Sequence, residues 1–213
     1  MPAPLTHIVF ALKVIQLIPK INTKKFILGT SFPDIRFLVP IEKNETHSGS
    51  VTWDMVKKEN DSFQAGLLFH SLVDILSKAY RKSARVYDQL PDITRARTLM
   101  NNYEDMLLYD KAQSWKEISG YFDTILPQEK CFGIEEKYIY EWHNILKLYS
   151  SKKPSPKSLS VFSKIIFPET HKQINPTKNI ENAFSMFEKT PQIADTVFDF
   201  YNSFEAILTT QPN

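Results

Sequence analysis

The sequence predicts an all-α protein, a single-domain multi-helix bundle, and three observations carry that expectation. Glycine is scarce, five in 213 residues, which disfavours the tight turns of a sandwich built from short strands. Apolar residues recur at helical spacing through segments of ten residues or more. The prolines stand mostly between those segments, where they end one helix or open the next. With 42% apolar residues the chain can fill one sizeable core, and its length does not require two domains.

The elements follow in order. Pro2 and Pro4 precede Thr6, a candidate N-cap, and apolar residues at 8, 9, 12, 15 and 18 predict a buried helix that ends at Pro19. Residues 26–39 are almost continuously apolar, so period alone does not separate strand from helix there. Pro33 suits the first turn of a helix better than a central strand, and a short helix or turn with Asp34 near its start is predicted. Residues 40–58 read as a polar loop leading into a further segment. Residues 60–83 form the clearest helix, with Phe63, Leu67, Phe69, His70, Val73, Asp74 and Leu76 along its inner side. Helices are then predicted over 92–110, 113–126, 134–150, 157–166, 179–188 and 191–209, punctuated by Pro127, Pro154, Pro156, Pro168, Pro176 and Pro191.

Composition excludes several function classes. The net charge is +2, too weak for a dedicated nucleic-acid surface, which concentrates basic residues on one face. The basic stretches 78–85 and 152–157 read as a solvated helix face and a loop, with contact to phosphate or anionic lipid at a membrane periphery as the minor alternative. Cys131 is the single cysteine, which excludes an internal disulfide and a Cys-rich zinc site. The first residues carry neither the basic n-region nor the A-x-A site of a secretory signal. No apolar run approaches the ~20 residues that span a bilayer. The expectation is a cytoplasmic protein without a transmembrane segment, unconventional secretion being left open. There is no P-loop, no G-x-G-x-x-G, no G-x-S-x-G around Ser71, and no adjacent His-Asp pair of the HD phosphohydrolase kind.

One constellation stands out. Of five histidines, three fall in the first 74 residues beside two carboxylates with apolar flanks. His7 lies in L-T-H-I-V-F-A, Asp34 in F-I-L-G-T-S-F-P-D-I, His47 in E-T-H-S-G, and His70 and Asp74 in F-H-S-L-V-D. Imidazole and carboxylate are the ligand types of Zn²⁺ and similar divalent metals. His70 and Asp74 stand four apart, which on a helix places both on one face with about 5–6 Å between Cβ atoms. Each residue alone has an ordinary reading: a His–Asp hydrogen bond, a core histidine at 7, a turn or cap aspartate at 34, an exposed histidine at 47. Their combination points to a metal.

The order of these elements resembles the zinc-dependent phospholipase C superfamily, an all-helical group that also holds the zinc-dependent single-strand nucleases and many bacterial proteins. The likeness covers the first third of the chain. A first helix with T-H-x-x-x-A, an apolar F-I-L-G-T-S-F-P-D, a loop T-H-S-G and then G-L-L-F-H-S-L-V-D carry it. The resemblance implies that His7, Asp34, His47, His70 and Asp74 ligate one or two zinc ions or another divalent metal, with Asp34 or Asp74 bridging ions or orienting a water. It implies a metal-bound hydroxide attacking a phosphoester, a phospholipid headgroup among the candidates. Residues 1–110 would then supply the metal-site helices, and 111–213 would complete or cover the bundle.

The family's downstream ligands have no histidine counterpart here. None occurs between Asp74 and His143, and neither His143 nor His171 is followed by Glu at the fourth position. Glu104 and Asp105, in M-N-N-Y-E-D-M-L-L-Y-D, are therefore the further candidate metal ligands, while Asp110 reads as solvated, His143 as core or surface, and His171 as loop. Two functions are carried forward: a metal-dependent phosphoesterase, and a non-catalytic helical protein whose polar cluster is a structural metal or hydrogen-bonded site with a partner-binding role.

Overall fold

The computed structural model describes residues 3–93, 95–166 and 176–210. The described residues form twelve α-helices with four short 3-10 turns among their connections and no strand. In order these are α1 (Pro4–Val14), α2 (Thr23–Ser31), α3 (Lys43–Thr46), α4 (Trp53–Lys58), α5 (Ser62–Ser83), α6 (Ala96–Leu108), α7 (Trp115–Tyr121), α8 (Pro127–Lys130), α9 (Glu136–Ser150), α10 (Pro156–Ile166), α11 (Pro176–Glu188) and α12 (Pro191–Thr209). The all-α expectation holds.

The longest helix, α5, organises the rest. Asp61 caps it, its carboxylate accepting from the Phe63 and Gln64 amides, which satisfies two of the donors a helix start leaves open. It crosses α2 at backbone distance. A Cβ on Gly29 would lie 2.1 Å from the Phe63 carbonyl oxygen, and one on Gly66 would lie 2.3 Å from that of Phe26. Two of the five glycines are thus spent on this crossing, and it brings the Thr30 carbonyl against α5.

The first helix departs from expectation at both ends. It begins at Pro4 with Ala3 as its cap position, and its α geometry stops at Val14 before a 3-10 turn over Ile15–Leu17. Thr6 is not the cap. The cap comes from α6, where the Asp105 carboxylate accepts from the Leu5 amide at 3.3 Å, the Thr6 amide at 2.7 Å and the Thr6 hydroxyl at 2.7 Å.

Other boundaries follow local chemistry. The expected loop over 40–58 contains two short helices, α3 closed by a Glu42–Glu45 capping box and α4 capped by the Thr52 hydroxyl. The expected helix over 113–126 stops at Tyr121, and Leu126, which precedes Pro127, is held extended (ψ 148°). The core is continuous from α1 to α12. Phe204 is fully buried with its ring 4.4 Å from that of Phe10 and 6.1 Å from that of Phe69, so the C-terminal helix packs on the elements that carry the histidines. No helix among the described residues is long and apolar enough to cross a membrane.

Candidate metal centre

Four separate elements deliver five side chains to one place. His7 comes from α1, Asp34 from the 3-10 turn over Phe32–Phe37, His47 from the C-terminal end of α3, and His70 and Asp74 from α5. His7, Asp34 and His70 are at most 2% exposed, and Asp74 is 9% exposed. Pro33 stands second in the turn that carries Asp34, where its fixed φ suits the first helical turn.

The imidazoles are held from behind. His7 Nδ1 lies 3.3 Å from the Ala3 carbonyl oxygen and His70 Nδ1 lies 2.8 Å from that of Thr30. A carbonyl only accepts, so each Nδ1 carries the proton and donates it, and each Nε2 is turned inward. His47 Nδ1 pairs with the Thr46 hydroxyl at 3.0 Å. The His7 and His70 rings stack at 3.9 Å, and the His47 ring meets His70 edge-on at 4.8 Å.

The three Nε2 atoms converge on Asp74. His7 Nε2 lies 3.3 Å from Oδ1, while His47 Nε2 and His70 Nε2 each lie 3.9 Å from Oδ2. None of these contacts has the alignment of a hydrogen bond: all three Nε2 atoms, both Asp74 oxygens and Asp34 Oδ1 are buried without a hydrogen-bond partner. Two overlapping groups, His7–His70–Asp74 and Asp34–His47–His70, bring their ligand atoms within 4.8 Å of one another and could each hold a metal ion.

Electrostatics separate these groups. Burial disfavours charge on His7, but the Asp74 and Asp34 carboxylates outweigh it and its pKa is raised. Burial lowers His47 to about 4 and takes His70 well below the usual imidazole range, helped there by the positive His7. Burial also opposes ionisation of Asp74, yet the neighbouring His7 overrides it and holds the carboxyl well below its ordinary value. Asp34 goes the other way, pushed by burial up to about 6. The centre has a firm anion at Asp74, two neutral imidazoles at His47 and His70, and at His7 an imidazole drawn toward its charged form.

Glu104 and Asp105 fall in neither group. Glu104 is buried in an ion pair with Arg81, whose Nη1 also donates to the Asn101 side-chain Oδ1 at 2.7 Å. Asp105 caps α1. Asp110 is exposed and pairs with Lys153, and His171 lies outside the described residues. His143 is buried, with Nε2 2.7 Å from Glu129 Oε1 and Nδ1 3.2 Å from the Phe122 carbonyl, a pair that no spacing rule indicates.

Asp74 and His47 also line an open cleft of about 390 Å³, together with Lys43, Ser48, Ile75 and Lys78 among others. Sequence reasoning passed over Lys43, while Lys78 opens the basic stretch 78–85, for which phosphate contact was the minor alternative to a solvated helix face. The available signal was the continuation of the His70–Asp74 step of four to Lys78. Comparison of the chain with family models, with curated proteins and with solved structures finds no match to any of them.

Proposed function

We propose that this chain is a metal-dependent hydrolase of phosphoesters, and that His7, Asp34, His47, His70 and Asp74 hold its divalent metal, zinc foremost. One observation carries the reading: six buried nitrogen and oxygen atoms of these side chains face one another with no hydrogen-bond partner. Buried polar atoms left unpaired are costly, and a cation shared among them removes that cost.

The residues fit such an ion on two counts. Ligands about 2.0–2.1 Å from a tetrahedral zinc stand about 3.3 Å from one another, and the separations from Asp74 to the three imidazoles run from 3.3 to 3.9 Å. The carbonyl behind His7 and the one behind His70 fix the tautomer with Nε2 available, the usual support behind a ligating imidazole. His70 belongs to both groups but has one inward nitrogen, so a single ion is the principal occupant, and a second needs a carboxylate to bridge.

A divalent ion there supplies Lewis acidity at a phosphoryl oxygen and lowers the pKa of a coordinated water toward ~7. The protein's own residues do the rest. Asp74 supplies negative charge that stays ionised to low pH, with His7 Nε2 3.3 Å and His70 Nε2 3.9 Å from its oxygens. Asp34, near pKa 6, is placed to accept a proton at the centre. The cleft at Asp74 and His47 supports an approachable site rather than a closed structural one.

The test is metal content followed by turnover. The purified protein should carry about one equivalent of zinc or take it up, and the loaded protein should hydrolyse a generic phosphodiester or a phosphomonoester. A protein that neither carries nor binds zinc sinks the reading. Zinc that is bound tightly without turnover of any phosphoester selects the non-catalytic alternative.

A further inference from the structure

We infer that the cleft beside the centre selects anionic phosphoesters, those with a terminal phosphate dianion, over zwitterionic headgroups, through Lys43 and Lys78. This deepens the hydrolase reading and rests on it for the chemistry, though not for the binding.

The argument begins with α5. His70, Asp74 and Lys78 follow one another at steps of four, a stripe leading from the buried centre outward, and Lys78 is exposed at the cleft end. Lys43 opens α3, the short helix that ends at His47, so a second ammonium stands on the element facing α5. The Ser48 amide donates to Ser71 Oγ at 3.0 Å, which ties this loop to α5 and keeps the two walls in register. The cleft lies within the roughly 300–1,000 Å³ range of small-molecule sites.

What lines the cleft discriminates. Among the described residues its lining includes two lysines and, besides Asp74, no carboxylate, and no Phe, Tyr or Trp. A quaternary ammonium is recognised by aromatic faces or by carboxylates, and Asp74 is directed to the centre. Two ammonium groups suit phosphate oxygens instead, as point charges that need no fixed fork. In the resulting hydrolysis a water oxygen bonds to phosphorus and the P–O bond to the alcohol breaks. The proton released by the water ends on the departing alcohol, leaving inorganic phosphate.

The experiment uses the full-length, zinc-loaded protein with Lys43→Glu and Lys78→Glu variants. Inorganic phosphate binding, followed by calorimetry, should weaken about tenfold in each variant with zinc content unchanged. The ratio of kcat/KM for p-nitrophenyl phosphate over p-nitrophenyl phosphorylcholine should fall by about tenfold in the same variants. Glycerol 3-phosphate and phosphatidylcholine vesicles doped with phosphatidic acid then distinguish a soluble from a lipid source of the dianion, either of which supports the inference. An unchanged ratio and unchanged phosphate binding overturn it, while turnover of either nitrophenyl ester leaves the hydrolase reading standing. If neither ester turns over, that reading fails, and phosphate binding alone decides for or against the lysine site.

Discussion

The rings of His7 and His70 stack 3.9 Å apart with only 4° between their planes, although the two residues lie 63 positions apart in sequence. Each is held by one backbone carbonyl at Nδ1, so neither can turn without losing a buried hydrogen bond. Both Nε2 atoms therefore face Asp74. His70→Ala and His7→Ala should each remove stoichiometric zinc binding, read by metal analysis after dialysis. Retention of one zinc per chain by both variants would show that the ion sits elsewhere.

Protons compete with the metal at this centre. In the metal-free protein Asp74 and Asp34 outweigh the burial of His7 and draw it toward its charged form, so zinc competes with that proton. Asp34, pushed up to about 6, takes a proton as pH falls through that value and then loses its charge as a ligand. Zinc binding should release about one proton per ion near neutrality, and affinity should drop between about pH 7 and pH 5. Calorimetric titrations in buffers of differing ionisation heat measure both. Binding with no proton release and no pH dependence contradicts this account of the ligands.

The crossing of α2 and α5 makes the centre sensitive to two glycines. In Gly29→Ala and Gly66→Ala the new Cβ meets backbone oxygen at 2.1 and 2.3 Å, which no rotamer relieves. Each should cost about 3 kcal/mol or more by urea unfolding. Each should also weaken zinc binding, because the Thr30 carbonyl that orients His70 moves with α2. Gly49 is the control, since a Cβ there meets nothing within 4 Å and Gly49→Ala should unfold like wild type.

Much of this arrangement is legible in the sequence, and the boundary is physical. His70 and Asp74 are readable because a helix brings residues four apart onto one face. His7, Asp34 and His47 are joined to them only by tertiary packing, so spacing could not group them and only their order within a resemblance did. Glu104 and Asp105 look equivalent in sequence, yet adjacent helical positions point about 100° apart. Their partners, Arg81 and Thr6, lie 23 and 99 positions away. The same distance hid the cap of α1, which a local reading assigned to Thr6. Glu129 and His143 pair across a loop for the same reason.

Asp105 makes stability depend on pH with a defined sign. Burial raises its carboxyl to about 7, against the pull of the Thr6 hydrogen bonds. A raised folded pKa means that the native state holds a proton the unfolded chain has lost, so stability falls as pH rises from about 4 to about 7 and then levels off. Asp105→Asn carries no such proton. Wild type should therefore lose stability relative to Asp105→Asn across that window, by up to a few kcal/mol, with both proteins metal-free so that zinc linkage does not enter. Parallel pH profiles for the two proteins would mean that the Leu5 and Thr6 donors keep the carboxylate ionised throughout.

Glu104 gives the last separation, between a residue that holds a metal and one that holds the fold. It is buried against Arg81, and Asn101 satisfies only one further guanidinium donor. Glu104→Gln leaves Arg81 as a buried cation without its counter-charge and should cost about 3–5 kcal/mol in chemical denaturation. Zinc stoichiometry should not change. The double variant Arg81→Met with Glu104→Leu removes both charges and should recover most of that loss, since apolar replacements of a buried pair are often neutral or stabilising. Asp110→Ala, at an exposed pair with Lys153, should alter neither stability nor zinc. Loss of zinc in Glu104→Gln at unchanged stability would instead return Glu104 to the ligand set.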